Sequence, residues 1–269
     1  MEALLSLDIH CHLLPGVDDG AKDFEETCAV ARALLDYGIT HVACTPHIQS
    51  DLYPNTRETL LKLVAETQAR LTAEGIGLTL LAGAEVRLDP DSCTPETWVT
   101  IGDLGTHVLV ELAPGFPLVE QMEHQLFAMQ AAGITPIIAH PERQALFIKD
   151  PEILVRWVEQ KGFLCQGTLC SLAGAAGERS VNTLDTFLRR GLIHFMGTDS
   201  HHLDRRMRDL DQAVARLDAI VGPENAQLIR HGNPRALLAG QPIRRPTPVA
   251  QPAPQPGLVK RLLASLRLA

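Results

Sequence analysis

Asp8-Ile9-His10-Cys11-His12-Leu13-Leu14-Pro15-Gly16-Val17-Asp18-Asp19-Gly20 is the stretch from which the fold of this chain can be worked out. An extended segment alternates its side chains between two faces, so His10 and His12 point to one side while Ile9, Cys11 and Leu13 point to the other. Two imidazoles on one face make a ligand pair for a divalent ion. Pro15-Gly16 then turns the chain so that Asp18 or Asp19 returns toward the same centre.

The pattern repeats downstream. Apolar, partly β-branched runs end in Thr45-Pro46-His47, Gly83-Ala84-Glu85-Val86, Val110-Glu111-Leu112, Ala139-His140-Pro141-Glu142-Arg143 and Gly197-Thr198-Asp199-Ser200-His201. Strands are expected at residues 8–12, 40–45, 78–86, 107–112, 135–139, 163–167 and 194–198. Three-four apolar spacing marks helices at 22–37, 55–74, 118–132, 150–161, 180–190, 203–221 and 223–230. A short final helix opens at Gly232-Asn233-Pro234, and residues 87–106 read as an insertion or short helix over the site. Alternation of this kind implies parallel strands with helical crossovers. Ligands delivered from many strand ends favour a closed barrel over an open sheet, whose ligands gather at one switch point. The expected class is α/β, a distorted seven-stranded (β/α)7 barrel.

With 269 residues, 45% of them hydrophobic and only 4% aromatic, the chain suits one large domain with an aliphatic core. Its formal charge of −8 argues against a general nucleic-acid binder. The six cysteines are scattered, with no CxxC pair. That usage, with no secretory leader evident, leads us to expect a reduced, cytoplasmic protein. No apolar run approaches the roughly 18–20 residues that cross a bilayer.

The strand ends carry His10, His12, Asp19, His47, Glu85, Glu111, His140, Asp199 and His201. Nine mixed nitrogen and oxygen donors exceed the needs of one ion, because zinc takes about four and manganese about six. Two or three divalent metals are therefore expected. Clustered ions of this kind activate water and clamp the oxygens of a phosphoryl transfer. Cysteine-based phosphatase chemistry is excluded, since no cysteine has an arginine six positions on. There is likewise no Walker A loop, GxSxG elbow or GxGxxG motif.

Together, DIHCH, TPH, the strand-end glutamate, HPER and TDSH resemble the motifs of the PHP (polymerase and histidinol phosphatase) superfamily. DIHCHLLPGVDDGAK with the later HPER is similar to the bacterial manganese-dependent protein-tyrosine phosphatases encoded with capsule and exopolysaccharide genes. The resemblance covers residues 7 to about 240. It implies that His10, His12, Glu85 and Asp199 hold one metal, that Glu85, Glu111 and His140 hold a second, and that Asp19, His47 and His201 hold the third. It selects Asp19 over Asp18, and manganese as the metal, although the donors also suit iron or zinc. Arg143 and Arg206 match arginines that grip the substrate phosphate, with Arg205 as the fallback for Arg206. A planar guanidinium offers a bidentate fork to phosphoryl oxygens. The implied reaction is in-line attack by a metal-bridging hydroxide on phosphotyrosine, with a phenolate departing. The implied partner is an autophosphorylated bacterial tyrosine kinase of polysaccharide export. Alternatives are a small-molecule phosphatase of the histidinol-phosphate type, a non-catalytic metal-stabilised interaction module and a PHP exonuclease. His202, beside a ligand, is a candidate for substrate contact.

The metal-dependent domain is expected to span 1–240. A proline-rich linker follows at 241–256. Residues 257–269 place leucines at helical spacing beside Lys260, Arg261 and Arg267. This is the pattern of an amphipathic helix for an anionic membrane surface or a partner groove.

Overall fold

The computed structural model describes residues 3–89, 91–112, 119–203 and 205–250. Residues 257–269, with their expected amphipathic helix, lie outside them. The strands are β1 (Asp8–Cys11), β2 (His41–Cys44), β3 (His47–Ile48), β4 (Thr79–Ala82), β5 (Glu85–Leu88), β6 (His107–Leu112), β7 (Thr135–Ala139), β8 (Leu164–Thr168) and β9 (Phe195–Gly197). The helices are α1 (Phe24–Asp36), α2 (Arg57–Ala73), α3 (Val119–Ala131), α4 (Ala145–Lys149), α5 (Pro151–Glu159), α6 (Leu169–Leu172), α7 (Glu178–Arg189), α8 (Leu210–Val221), α9 (Pro223–Gln227) and α10 (Asn233–Leu238).

Local sequence explains where these elements begin. Asp23 caps α1 by accepting from the Glu26 amide, Thr56 and Thr59 form a capping box at α2, and Asp150 caps α5 with Pro151 at its first position. The single helix expected over 203–221 is instead a 3₁₀ turn at Arg205–Met207 followed by α8. Residues 95–103 hold two further 3₁₀ turns.

All strand pairings are parallel, but the strands form two sheets, β1-β2-β4 and β3-β5-β6-β7-β8-β9. The fold is thus α/β with parallel sheets, and no single closed seven-stranded sheet is present among the described residues. The reason is local. The strand expected at 78–86 divides at Gly83, and the strand expected at 40–45 ends before Pro46, which has no amide to give the ladder, but is followed by a further short strand, β3. A Cβ on Gly83 would meet Cys44 O at 3.3 Å and Thr45 Cγ2 at 3.2 Å, so the two breaks sit against each other. Isolated contacts join the sheets' edges: His12 N donates to Ser200 O at 2.8 Å and Asp199 N to His10 O at 2.9 Å.

Simple alternation also fails in β1. Its register against β2 shifts between Asp8 and Cys11. Ile9 consequently packs in a small apolar cluster with Ala43, Leu109, Ile137, Leu164 and Phe195, whereas Cys11 and Leu13 join the larger core under the helices. Asp8, fully buried, ties β1 to β9 by accepting from Thr198 N at 3.0 Å.

Beyond α10 the proline-rich segment is strapped to the domain through residue 250. The Asn233 side chain donates to Arg244 O and accepts from Arg244 N, and Asn225 grips Thr247 in the same two-point way. Arg245 donates to Gly191 O and Arg190 O. Asn233 also holds His194 O, so the strap runs past the N-terminal end of β9. The strand ends that carry the candidate ligands are at the other side.

Candidate metal centre

All nine predicted donors meet on one side of the sheets. His10 lies in β1 and His12 just after it, His47 opens β3 and Glu85 opens β5, each just past a break, and Glu111 lies near the end of β6. The turn after β1 brings Asp19. A Cβ on Gly20 would lie 2.2 Å from His12 O, so that turn folds back onto β1 only because residue 20 is glycine. His140 follows β7 with φ 32° and Asp199 follows β9 with φ 52°, left-handed conformations that cost energy for a non-glycine residue. Both strained residues sit at the site.

His10 Nε2 lies 3.1 Å from His12 Nε2, 3.3 Å from Glu85 Oε2 and 3.3 Å from Asp199 Oδ1. His12 Nε2 reaches the same two carboxylates at 3.4 and 3.7 Å. Around an ion with bonds of about 2.1 Å, neighbouring ligand atoms are separated by about 3.0–3.4 Å. Glu85 Oε1 stands 2.9 Å from His140 Nε2, with Glu111 Oε1 at 3.9 Å. Asp19 Oδ1 is 3.4 Å from His47 Nε2 and 3.3 Å from His201 Nε2. His12 also lies close enough to join Asp19, His47 and His201. Two buried donors, His47 Nδ1 and Glu85 Oε2, have no hydrogen-bond partner among the described residues. Orphaned polar atoms beside a surplus of carboxylate and imidazole donors fit bound divalent cations.

Electrostatics agree. Burial and the nearby charge of Glu85 push the Glu111 carboxyl up to about 7. Burial also opposes ionisation of Asp199, but His10, His140 and Arg143 outweigh it and hold the carboxyl below its usual range.

A second layer orients the donors. Asp18, the alternative ligand, points away from the cluster and takes His12 Nδ1 at 2.7 Å while accepting from the amides of Gly20 and His47. Gln166 Oε1 lies 2.8 Å from His10 Nδ1. Each contact leaves an Nε2 facing the cluster, the usual outer-shell device of a metal site. Sequence reading gave no role to Gln166, whose strand carries no ligand, or to Tyr53, whose ring stacks on His47 at 5.6 Å. Spacing alone carries no signal for either. His202 turns from the cluster to pair with Glu26 at 2.8 Å.

Arg143 donates to Asp199 Oδ2. Arg206 donates to Asp199 O at 3.2 Å and touches His201 Nδ1. The two arginines line one cavity of about 260 Å³ together with Cys170, Ala175, Ala176 and Ser180. The Arg205 side chain lies outside what the structure describes.

A family model described as capsular polysaccharide synthesis, CpsB/CapC, matches residues 6–239. The chain belongs to the CpsB/CapC family. Among its relatives, the tyrosine-protein phosphatase YwqE of Bacillus subtilis (strain 168) is 32% identical over 90% of this chain and 95% of its own. The tyrosine-protein phosphatase CpsB of Streptococcus pneumoniae is 25% identical over 88% of this chain and all of its own. A solved structure from work on YwqE and CpsB, described as unique metal-dependent tyrosine phosphatases, superposes with a TM-score of 0.82 at 31% identity. It covers 91% of this chain and 100% of its own. The CpsB/CapC match ends just before the strap, so the whole donor cluster and both arginines lie inside it.

Proposed function

We propose that this chain is a metal-dependent phosphotyrosine-protein phosphatase. The observation that carries the reading is the convergence of nine donors, from His10 to His201, beside a cavity lined by Arg143 and Arg206. Divalent ions, when bound there, acidify a water for attack and neutralise phosphoryl oxygens. His10, His12, Glu85 and Asp199 would hold one, Glu85, Glu111 and His140 a second, and Asp19, His47 and His201 a third. We assign manganese as the native metal.

The chain's own groups do the rest. Arg143 and Arg206 present guanidinium forks to the non-reacting phosphoryl oxygens, and their contacts with Asp199 and His201 tie substrate grip to the ligand frame. Asp18 and Gln166 keep the Nε2 atoms of His12 and His10 pointed inward. A phenol with pKa near 10 leaves as phenolate with little help, so no strong general acid is required.

The substrate we assign is an autophosphorylated bacterial tyrosine kinase of polysaccharide export, in keeping with the capsular description of the family, and the compartment is the cytoplasm. No helix among the described residues is long and apolar enough to cross a membrane. We further propose that the two sheets act as one distorted seven-segment (β/α) barrel of the PHP type. Support comes from the Cys11–Ser200 bridge between its edges and from the single apolar cluster fed by β1, β2, β6, β7, β8 and β9. In this reading the domain runs to about residue 240 and residues 257–269 serve contact with a membrane or partner.

The deciding experiment strips the protein with a chelator, restores each metal singly and measures turnover of a phosphotyrosyl peptide and of histidinol phosphate. Metal-dependent turnover of the peptide is expected. Preference for histidinol phosphate, or no turnover with any metal, overturns the assignment.

A further inference from the structure

The cavity beside the cluster is lined by more than its two arginines. Ser180, the third residue of α7, is 7% exposed, and its hydroxyl has no hydrogen-bond partner among the described residues. The hydroxyl oxygen itself keeps some access to solvent, so it can take a ligand oxygen without displacing a protein partner. Helix α7 begins at Gly177 with no side-chain cap. The amides of Glu178, Arg179 and Ser180 therefore have neither an intrahelical carbonyl nor a cap, and a helix of twelve residues places partial positive charge there.

Two guanidinium groups and an unused hydroxyl thus meet at one space, whereas Glu178 and Arg179 line a separate cavity with Asn182 and Thr183. Their donors outnumber the roughly four lone-pair sites of a carboxylate. A phosphoryl group, with three oxygens spread in three directions, can use them. Resting on the phosphatase reading above, we infer that Ser180 is a substrate-binding residue whose hydroxyl holds a phosphoryl oxygen that Arg143 and Arg206 neutralise. The α6–α7 loop lines the cavity only with small side chains, Ala175 and Ala176, leaving Ser180 accessible.

The test uses the metal-loaded chain and inorganic phosphate as the probe. The isosteric pair S180T and S180V differs only in the hydroxyl. A hydrogen bond to a charged group leads us to expect about tenfold weaker phosphate binding in S180V than in S180T, measured by calorimetry. KM for a phosphotyrosyl peptide should rise in step, with melting temperatures of the two variants alike. Equal phosphate affinity in S180T and S180V overturns the inference, as does a loss in S180V that is matched by a fall in its melting temperature. Phosphate affinity is read without turnover, so an inactive but phosphate-binding parent would sink the phosphatase reading while still testing Ser180.

Discussion

Asp18 Oδ2 lies 2.7 Å from His12 Nδ1, whereas the adjacent Asp19 turns its carboxylate to His47 and His201. Consecutive residues in one turn thus divide the labour. Asp19 faces the cluster at the mouth of the site, and Asp18, buried behind it, holds the His12 ring. Removing Asp18 leaves every proposed ligand in place. We expect D18A and Q166A each to weaken metal binding by about 10–100-fold. Metal titrations of the stripped proteins would show this, and parental affinity in both variants would count against an orienting role.

Metal uptake should release protons, more of them at pH 6 than at pH 8. Glu111, pushed up to about 7 by burial and by Glu85, is largely protonated below that value and must ionise to coordinate. Calorimetric titrations in two buffers of different ionisation enthalpy measure the release. Heats independent of buffer at pH 6 would contradict it.

R143K should lower kcat/KM for a phosphotyrosyl peptide by about a hundredfold, because an ammonium keeps the charge but not the fork. R206A should fall at least as far, since it loses both charge and fork. Steady-state kinetics with restored metal would read both losses, and a parental value for either variant would remove that arginine from the phosphate site.

His194 sets an acid limit on stability away from the cluster. Burial, with Arg245 nearby, holds its imidazole down to about 4, and its Nδ1 accepts from the Cys165 amide as a neutral ring must. An unfolded histidine titrates near 6.5, so between about pH 6.5 and 4 the unfolded chain binds the extra proton. This contribution is complete above that window and is lost as pH falls through it, up to about 3 kcal/mol. Urea unfolding at pH 7 and pH 4.5 should therefore show a smaller pH penalty for H194Q than for the parent.

N233A should free the strap. It removes the two-point grip on Arg244 and the bond to His194 O, at a cost of about 2–3 kcal/mol. Trypsin should then cut faster after Arg244 in the folded protein; Arg245 precedes Pro246 and is not a tryptic site. Unchanged cleavage would mean that the remaining contacts of Arg245 and Thr247 suffice.

The donors were legible because their chemistry is local. A histidine, aspartate or glutamate closing an apolar run shows in one dimension, and the helix starts at Asp23, Thr56 and Asp150 show through their capping residues. The breaks at Pro46 and Gly83 were also written in the chain: Pro46 reads as a strand end, but Gly83 reads as one residue inside a strand until the neighbouring segment is seen against it.

From its sequence alone this protein was determined to be a parallel α/β chain with imidazoles and carboxylates at its strand ends, because side-chain periodicity and ligand type are properties of neighbours along the chain. Only the tertiary structure decided that Asp18 orients while Asp19 faces the cluster, that Gln166 from a ligand-free strand backs His10, that His202 turns to Glu26, and that Ser180 shares a cavity with Arg143 and Arg206. Each of those outcomes depends on where a side chain meets a segment far off in sequence, and long-range packing sets that meeting.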